Sequence, residues 1–368
     1  MAYRNMENER LSKTAWGILI VLFIAIQVIA LNPAWVEKYY TYCLYPLIAG
    51  TLRFLFGWLP FSLGDILYLA AACFIVYNLV RLMRALVKKT MRRKTVWPGV
   101  KKSAFLMLTV SVAFYGLWGM NYSRAGIAEQ LKLTEQKYTV RDLDTLVGIL
   151  HDRLNENAAL LTPAMRDSVK SNRDLFSNAL LLYHLAEKKY PFLYYRSVSV
   201  KSSLFSYLGN YLGFQGYYNP FTGEAQLNTT IPACEEPFVM AHEIAHQLGY
   251  AKESEANFVG FLACRLHPSV NFKYSVYFDM YHYAIKELAG IDAARAGSYD
   301  SSLHKQVKND RMVLRTFYRQ YRNPVEPLIS DFYGYFLKAN NQPRGKASYN
   351  EVIVWLIAYY KRYGAGAV

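Results

Sequence analysis

The chain is poor in cysteine, with only Cys43, Cys73, Cys234 and Cys264 among 368 residues. A disulfide-stabilised scaffold or a zinc site built from thiolates needs more cysteines at closer spacing, so both are excluded. Cys234 and Cys264 flank the central part of the chain. They could pair in an oxidising compartment or remain two buried thiols.

Acidic residues are also scarce, 27 against 42 Lys and Arg, which gives a formal net charge of +15. A charge of this size can indicate a nucleic-acid-binding surface. Nine of the basic residues and no acidic residue fall between Arg81 and Lys102, however, so much of the excess lies between two apolar runs. Such a loop is typical of the cytoplasmic side of a membrane protein, and we expect no nucleic-acid partner.

Charged residues are nearly absent from three apolar runs, at about 14–31, 62–80 and 103–121, of which the second contains Asp65. Each run is long enough to cross a bilayer as a helix. A cleaved signal peptide is disfavoured because the first run is long and no small-x-small site follows it. We therefore predict three transmembrane helices. Ser62 and Asp65 have the spacing of an N-cap and its acidic partner, so Asp65 is interpreted as part of a helix cap.

The basic loop 81–102 predicts the orientation of these helices in a bacterial cytoplasmic membrane. Because Lys and Arg concentrate in cytoplasmic loops, residues 1–13 and 81–102 are expected inside and residues 122–368 outside. The segment 39–61 is apolar and aromatic but is interrupted by prolines and glycines, and we interpret it as interfacial or re-entrant. If it crossed the membrane instead, the basic loop would lie outside.

After the third run the composition becomes polar and the apolar spacing becomes helical. Helices are predicted at 139–161, 163–185, 237–248, 253–266, 272–288 and 303–321, and from Ser348 with Glu351 as a capping box. Extended segments are predicted at 196–200 and in a hairpin that turns at 219–223 (NPFTG). No internal repeat or low-complexity linker is present. Residues 122–368 are thus expected to form one mainly helical α+β domain with a small β-sheet.

The segment 237–266, PFVMAHEIAHQLGYAKESEANFVGFLACRL, contains an HExxH motif. His242 and His246 are one helical turn apart, so both imidazoles project from one face and can bind the same metal ion. Glu243 lies between them and can reach a water molecule on that ion without being a ligand. Two ordinary surface histidines would give the same letters, but apolar residues on this helix predict that it is buried.

A catalytic zinc site has three protein ligands and one open position. Gly249 allows a sharp turn after the His-bearing helix, and the next helix offers Glu253 and Glu255, which point to different faces. Glu253 is preferred because Asn257 follows it by one turn and could hold the His-bearing helix through a hydrogen bond. Glu255 stays open as the alternative ligand. Imidazole and carboxylate ligands favour Zn²⁺ as the cofactor.

These motifs resemble those of known families. HExxH followed by a glutamate resembles the gluzincin metallopeptidases, and ExEANxF is similar to the metal-binding helix of ImmA/IrrE-type peptidases. Three spans followed by GYYNPFTGEAQLN, HEIAHQLGYAKESEANF and SYNEV resemble the bacterial membrane family known as domain of unknown function 3810. The resemblance implies a zincin-like fold without an established substrate. Two features depart from the commonest gluzincin pattern: Asn257 stands where aspartate is frequent, and only six residues separate His246 from Glu253.

The predicted function is a membrane-anchored zinc metallopeptidase, a hydrolase acting on polypeptides near the membrane surface, with Glu243 as general base. The hairpin could provide an edge strand for an extended substrate or could be scaffold. The residue that stabilises the oxyanion stays open among His282, Tyr283, Tyr333 and Tyr335. A non-catalytic zinc-binding sensor or assembly factor is the alternative. A transporter is disfavoured because the spans contain no paired charges.

Overall fold

The computed structural model describes residues 2–88, 93–134, 137–169 and 172–368. Its N-terminal part consists of the helices α1 (Ala2–Ala30), α2 (Pro33–Trp35), α3 (Tyr45–Phe56), α4 (Leu63–Val87) and α5 (Arg93–Leu117), with a π-helix at Val36–Leu44. Three of these helices contain segments long and apolar enough to cross a membrane, at Lys13–Ala30, Leu63–Val87 and Trp97–Leu117. Among the described residues, three candidate membrane-spanning helices therefore lie where the sequence predicts them.

Two boundaries differ from the prediction. The predicted loop 81–102 is mostly helical, because α4 continues to Val87 and α5 begins at Arg93. Lys and Arg are good helix formers and can extend their charges away from an apolar helix surface. The third helix also ends before residue 121: Trp118 has φ −156° and ψ −39°, and a 3₁₀ turn follows at Gly119–Ser123.

The segment between α1 and α4 packs against the domain that follows α5. Arg124 forms a buried ion pair with Glu37 of the π-helix, with 2.9 Å between nitrogen and oxygen. Near the other end of the segment, the Lys201 ammonium donates hydrogen bonds to the carbonyls of Gly57 and Leu59. The segment is therefore fixed to the domain at both ends.

The first turn of α4 is attached to the sheet of the domain. Ser62 accepts a hydrogen bond from the backbone amide of Asp65 at 3.1 Å, which confirms the predicted N-cap. Glu224 accepts from the first two backbone amides of α4 at 3.1 and 2.6 Å. Asp65 accepts from the backbone amide of Leu204 and from the hydroxyl of Tyr217. Asp65 thus joins the helix to the domain.

The domain is mainly helical, as predicted. Its helices are α6 (Ile127–Gln130), α7 (Val140–Leu160), α8 (Pro163–Val169), α9 (Asn172–Lys189), α10 (Ser206–Leu212), α11 (Glu236–Gln247), α12 (Glu253–Cys264), α13 (Val270–Ala289), α14 (Ala293–Ser301), α15 (Lys305–Gln320), α16 (Glu326–Ala339) and α17 (Val352–Tyr363). Short 3₁₀ turns lie at Pro191–Leu193, Gly345–Glu351 and Ala365–Ala367.

The small sheet has the strand order β1 (Val200–Ser202), β3 (Glu224–Leu227) and β2 (Gly216–Asn219). Strand β1 is parallel to β3, and β2 is antiparallel to it, with Gly216 opposite Leu227 and Asn219 opposite Glu224. The predicted hairpin is confirmed. Strand β2 lies at one edge of this sheet.

Two predictions for the domain are wrong in detail. The helix expected at 163–185 corresponds to α8 and α9, with residues 170–171 outside the described part of the chain, whereas the strand expected at 196–200 lies at β1. The capping box at Ser348 and Glu351 is not formed, because Ser348 donates to the carbonyl of Gly345 at 2.6 Å within a 3₁₀ turn. Helix α17 begins only at Val352.

The core of the domain surrounds α11 and α12. Every residue of both helices is buried, and α9, α13 and α17 pack around the pair. The sheet packs against α11. Cys264 is buried in this core and Cys234 is half-buried, and both are free thiols, so the disulfide alternative is wrong.

Candidate metal centre

The HExxH motif lies on α11, and both histidines direct the same ring nitrogen to one point. The Nε2 atoms of His242 and His246 are 3.1 Å apart. The Oε2 atom of Glu253, at the first position of α12, lies 3.2 Å from the first and 3.5 Å from the second. Three metal-ligating atoms from two helices therefore converge.

The other nitrogen of each imidazole is held by an acceptor. His246 Nδ1 lies 2.7 Å from the carbonyl oxygen of Tyr250, which can only accept, so Nδ1 carries the proton. His242 Nδ1 lies 2.8 Å from Oδ1 of Asn257, whose amide nitrogen faces the carbonyl of Tyr349 at 3.5 Å. In the neutral imidazoles with Nδ1 protonated, both Nε2 atoms would be available to a metal ion at the point where they meet, as in metal-bound histidines.

Glu253 and Glu255 are separated by the geometry of α12. Glu255 faces away from the histidines, with its carboxylate 3.6 Å from the Lys252 ammonium. Gly126, at φ +89°, leaves room for it, since a Cβ there would overlap Glu255 Oε1. Of the two candidate third ligands, only Glu253 is brought to the histidines.

The electrostatics of the cluster favour positive charge between the three groups. Burial raises the pKa of Glu253. The charges of the two imidazoles, and their hydrogen bonds with the carboxylate, have the opposite and larger effect and hold the pKa below its usual range. Burial lowers the pKa of His246, but the Glu253 carboxylate outweighs this effect and raises it to about 9. A cation placed here would be stabilised by the same carboxylate.

Glu243 lies beside the cluster and against the edge strand. A Cβ on Gly216 of β2 would lie 2.6 Å from Glu243 Oε1, so the strand approaches the carboxylate closely only because residue 216 is glycine. Glu243 Oε2 is buried and has no hydrogen-bond partner among the described residues. Burial raises the pKa of this carboxyl to about 7.

The four candidates for stabilising an oxyanion are distributed unevenly. Tyr333 of α16 donates a hydrogen bond to Glu253 Oε1 and so reaches the cluster. Tyr283 of α13 lies behind the cluster near Asn257. Tyr335 and His282 are exposed, on the outer faces of α16 and α13.

Tyr349 is a residue of the site that the sequence reasoning did not select. Its ring stacks on the His242 imidazole, with 6.3 Å between centroids and 13° between planes. The only sequence signal was its place in the SYNEV string, which carries no spacing relation to HExxH.

The donor set fits zinc in number, chemistry and separation. Two imidazoles and one carboxylate are a common ligand set of catalytic zinc, with bonds of about 2.0–2.2 Å, which in a tetrahedron places ligand atoms about 3.3 Å apart. The observed separations of 3.1, 3.2 and 3.5 Å lie on both sides of this value. Glu253 Oε2 is buried beside the two imidazole nitrogens, where a metal ion would satisfy it as an acceptor.

Comparison with known proteins identifies a family. The family described as "Protein of unknown function (DUF3810)" matches residues 40–357. The chain belongs to this family. The match includes α4, α5 and every residue of the cluster. No curated protein and no solved structure matches the chain.

In this DUF3810 protein the C-terminal end of α11 is fixed by residues that precede the domain. The last carbonyls of a helix have no partner within it. The His246 carbonyl accepts from Trp118 Nε1 at 2.9 Å, and the Gln247 carbonyl accepts from the Tyr45 hydroxyl at 2.8 Å and from Arg53 at 3.1 Å. These side chains come from residues 2–121, which contain the candidate membrane helices and are called the membrane part below. They hold the last turn of α11, which carries the candidate ligand His246.

Gly249 makes this turn possible. It has φ +85°, and a Cβ there would lie 2.9 Å from the Tyr45 ring and 3.0 Å from Asn121 Oδ1. Its carbonyl accepts from Arg124 at 3.1 Å. The position therefore requires glycine for its conformation and for the close approach of the membrane part.

Proposed function

We propose that this protein is a membrane-anchored zinc metallopeptidase with a zincin-like, gluzincin-type site. The observation that carries the proposal is the convergence of His242 Nε2, His246 Nε2 and Glu253 Oε2 at 3.1–3.5 Å, with the Glu243 carboxylate beside them. A structural metal needs no additional buried carboxylate, whereas hydrolysis needs a base.

The residues divide into three roles. His242, His246 and Glu253 would hold the ion, and Asn257 and the Tyr250 carbonyl would keep both imidazoles in the ligating tautomer. A bound zinc ion would polarise the substrate carbonyl and activate a water molecule. Glu243 would take the proton from that water and pass it to the leaving amine.

Strand β2 offers the substrate a backbone edge. The amide of Asn228 donates to the carbonyl of Gln215 at 2.8 Å. Hydrogen-bonding pairs alternate along an antiparallel ladder, so Gly216 and Tyr218 direct their backbone groups away from β3. An extended peptide added along this edge would pass Gly216, which is in contact with Glu243.

The sidedness is also a proposal. Of the nine basic residues between Arg81 and Lys102, those that the structure describes lie in the C-terminal part of α4 and the N-terminal part of α5, whereas the other ends of these helices contact the domain. Positive loops remain in the cytoplasm. The domain and its metal centre would then face the extracytoplasmic side of a bacterial cytoplasmic membrane.

Metal analysis of the purified full-length protein tests the ligand set. We expect one zinc per chain in the wild type and in Glu255→Gln, and loss of stoichiometric zinc in Glu253→Gln. The two substitutions are matched, since both remove one charge from buried glutamates of the same helix. Loss of zinc in Glu255→Gln alone would reassign the third ligand.

Peptide hydrolysis tests the activity. Zinc-loaded wild type should cleave members of a mixed peptide library, and Glu243→Gln should retain zinc but lose activity by about 10²-fold or more. Zinc binding without cleavage by the wild type would favour the non-catalytic sensor or assembly factor. Equal cleavage by both proteins would remove Glu243 from the mechanism.

A further inference from the structure

Helix α16 exposes an apolar face on the outside of the domain. The residues on this face recur at three- and four-residue spacing and are exposed: Val325, Leu328, Ile329, Phe332, Tyr335 and Phe336. Phe332 exposes 74% of its surface and Leu328 exposes 68%. A contiguous patch of this kind is unusual on a surface that contacts only water.

Helix α10 continues this surface. Leu204, Tyr207, Leu208 and Tyr211 have the same spacing and are all exposed. The C-terminal end of α10 meets the N-terminal end of α16, because a Cβ on Gly213 would lie 3.0 Å from the Glu326 side chain. The two exposed faces therefore belong to neighbouring helices joined end to end.

Both outer ends of this helix pair are attached to candidate membrane helices. Before α10, the backbone amide of Leu204 donates to Asp65 in the first turn of α4. At the end of α16, the Phe336 ring lies 6.2 Å from that of Phe114 in α5. The Tyr115 hydroxyl also donates to Asn340 at 3.0 Å. The apolar faces thus run between the domain-side ends of two spans.

The segment 33–61 adds exposed aromatic rings at the same level of the molecule, since it connects α1 to α4. Trp35, Tyr39, Tyr42, Phe54 and Trp58 are exposed there. Trp and Tyr concentrate where a membrane protein meets the lipid headgroups. Three separate parts of the chain therefore present apolar or aromatic side chains beside the ends of the spans.

We propose that α10 and α16, together with segment 33–61, are immersed in the interfacial layer of the bilayer on the domain side. The occupant of these faces is lipid because the faces are continuous with the three candidate spans and rich in aromatic rings. The apolar face of an interfacial helix typically lies about 5–10 Å deep in the boundary between headgroups and acyl chains.

This placement brings the metal centre close to the membrane. On the other side of α16, the Tyr333 hydroxyl donates a hydrogen bond to Glu253. The metal centre and the lipid-facing side chains are therefore separated by one helix diameter, about 10 Å. This step rests on the proposed peptidase function. A centre so close to the lipid would cleave the membrane-proximal segment of a polypeptide that is itself anchored in the membrane.

Depth measurement tests the surface without reference to activity. In a full-length variant free of native cysteine and reconstituted in nanodiscs, spin labels would be placed singly at Leu208, Leu328 and Phe332. Leu160 provides a matched control, because it is a leucine with 62% of its surface exposed at the end of α7, a helix that packs against α13, α15 and α17 of the domain. Zinc content checks that each labelled protein is folded.

We expect relaxation of the first three labels to be enhanced by oxygen, which concentrates in lipid, and that of Leu160 by a water-soluble nickel complex. Labels at Leu208, Leu328 and Phe332 that respond only to the nickel complex would overturn the proposal. Dipolar broadening between labels of two chains, without oxygen enhancement, would assign the faces to a second copy and would also overturn it.

Cleavage tests the substrate class. One peptide that the enzyme cleaves would be offered free in solution and attached by a lipid anchor to the same nanodisc. Cleavage of the anchored form at a rate about tenfold or more above that of the free form supports the inference, once the rate on nanodiscs without the enzyme has been subtracted from each. Equal rates contradict it. Absence of cleavage in both forms contradicts the peptidase function, while the label data still decide the surface.

Discussion

The two ends of α11 are held by different parts of the chain. At the N-terminal end, the Ser275 hydroxyl accepts from the amide of Phe238 at 3.1 Å and the Tyr183 hydroxyl donates to the carbonyl of Ala241 at 2.6 Å, both from within the domain. At the C-terminal end, the side chains that donate to the last carbonyls include Trp118, Tyr45 and Arg53. His242 is therefore positioned from within the domain, whereas the membrane part contributes to the positioning of His246.

This asymmetry makes the part of the chain with the candidate membrane helices a structural component of the candidate site. Helix-terminal carbonyls that are buried without a partner destabilise the helix end. Tyr45 and Arg53 belong to a segment that is itself fixed by the Glu37–Arg124 pair. Anything that detaches this segment should disturb the His246 end of the helix before the His242 end.

The largest expected effect comes from removing the membrane part altogether. A chain starting at residue 122 lacks Trp118, Tyr45, Arg53 and Glu37, and it exposes the surface that they cover. We expect it to bind less than stoichiometric zinc and to aggregate, as measured by metal analysis and size-exclusion chromatography. A monomeric fragment with one zinc per chain would show that the domain assembles the site alone.

Breaking the buried ion pair should have the next largest effect. Glu37→Gln leaves the Arg124 guanidinium buried without its carboxylate, which typically costs about 3–5 kcal/mol of unfolding free energy. Denaturant unfolding in detergent would measure it. The matched control is Glu156→Gln, whose partner Arg153 is exposed and which should change stability little. Equal losses in the two variants would contradict the role assigned to segment 33–61.

Single hydroxyl deletions compare the two ends directly. Tyr45→Phe removes a donor to the Gln247 carbonyl and Tyr183→Phe removes a donor to the Ala241 carbonyl, both in buried sites. Each should lower the free energy of unfolding by about 1–2 kcal/mol. Zinc affinity, titrated with a chelator, should fall in both. An unchanged affinity in Tyr45→Phe alone would mean that the membrane part does not position His246.

The parts of the site that the sequence predicted are those with local spacing. His242 and His246 share a face because they are four residues apart in a helix, and Glu253 follows Gly249 closely enough for a turn to return it. The hairpin before α11 was likewise evident from its turn residues. Local periodicity and turn chemistry determine these features directly.

The contacts that were missed are distant in sequence. Tyr45 is 202 residues from Gln247 and Trp118 is 128 residues from His246, and a side chain that donates to a backbone carbonyl leaves no pattern at its acceptor. Tyr349 reaches His242 in the same way. Helix α16 was missed because its apolar residues lie on two faces, one toward the centre and one outward, so no single amphipathic stripe is visible.

The smallest effect is expected from breaking a contact that lies away from both ends of α11. Asp142 caps α7 with Thr139 and pairs with Lys361 of α17 at 2.6 Å. The hydrogen bonds with Lys361 and with the Thr139 amide hold its pKa below the usual range. A depressed carboxyl pKa contributes stability above the unfolded-state value of about 3.9, and the contribution is lost as pH falls through the folded-state value.

We therefore expect Asp142→Asn to be less stable than wild type at pH 7, by about 0.5–1 kcal/mol because the pair is partly solvent-screened. The difference should shrink as the pH falls below about 4, where the carboxyl takes up a proton in the unfolded state before it does so in the folded state. Melting temperatures of the two proteins at pH 7 and below pH 4 would measure this difference in stability. Zinc affinity should stay at the wild-type value at pH 7, because the contacts of Asp142 are with Thr139, Tyr360 and Lys361 and not with the metal centre. A change in affinity would show that the whole domain, and not the two helix ends, sets the geometry of the centre.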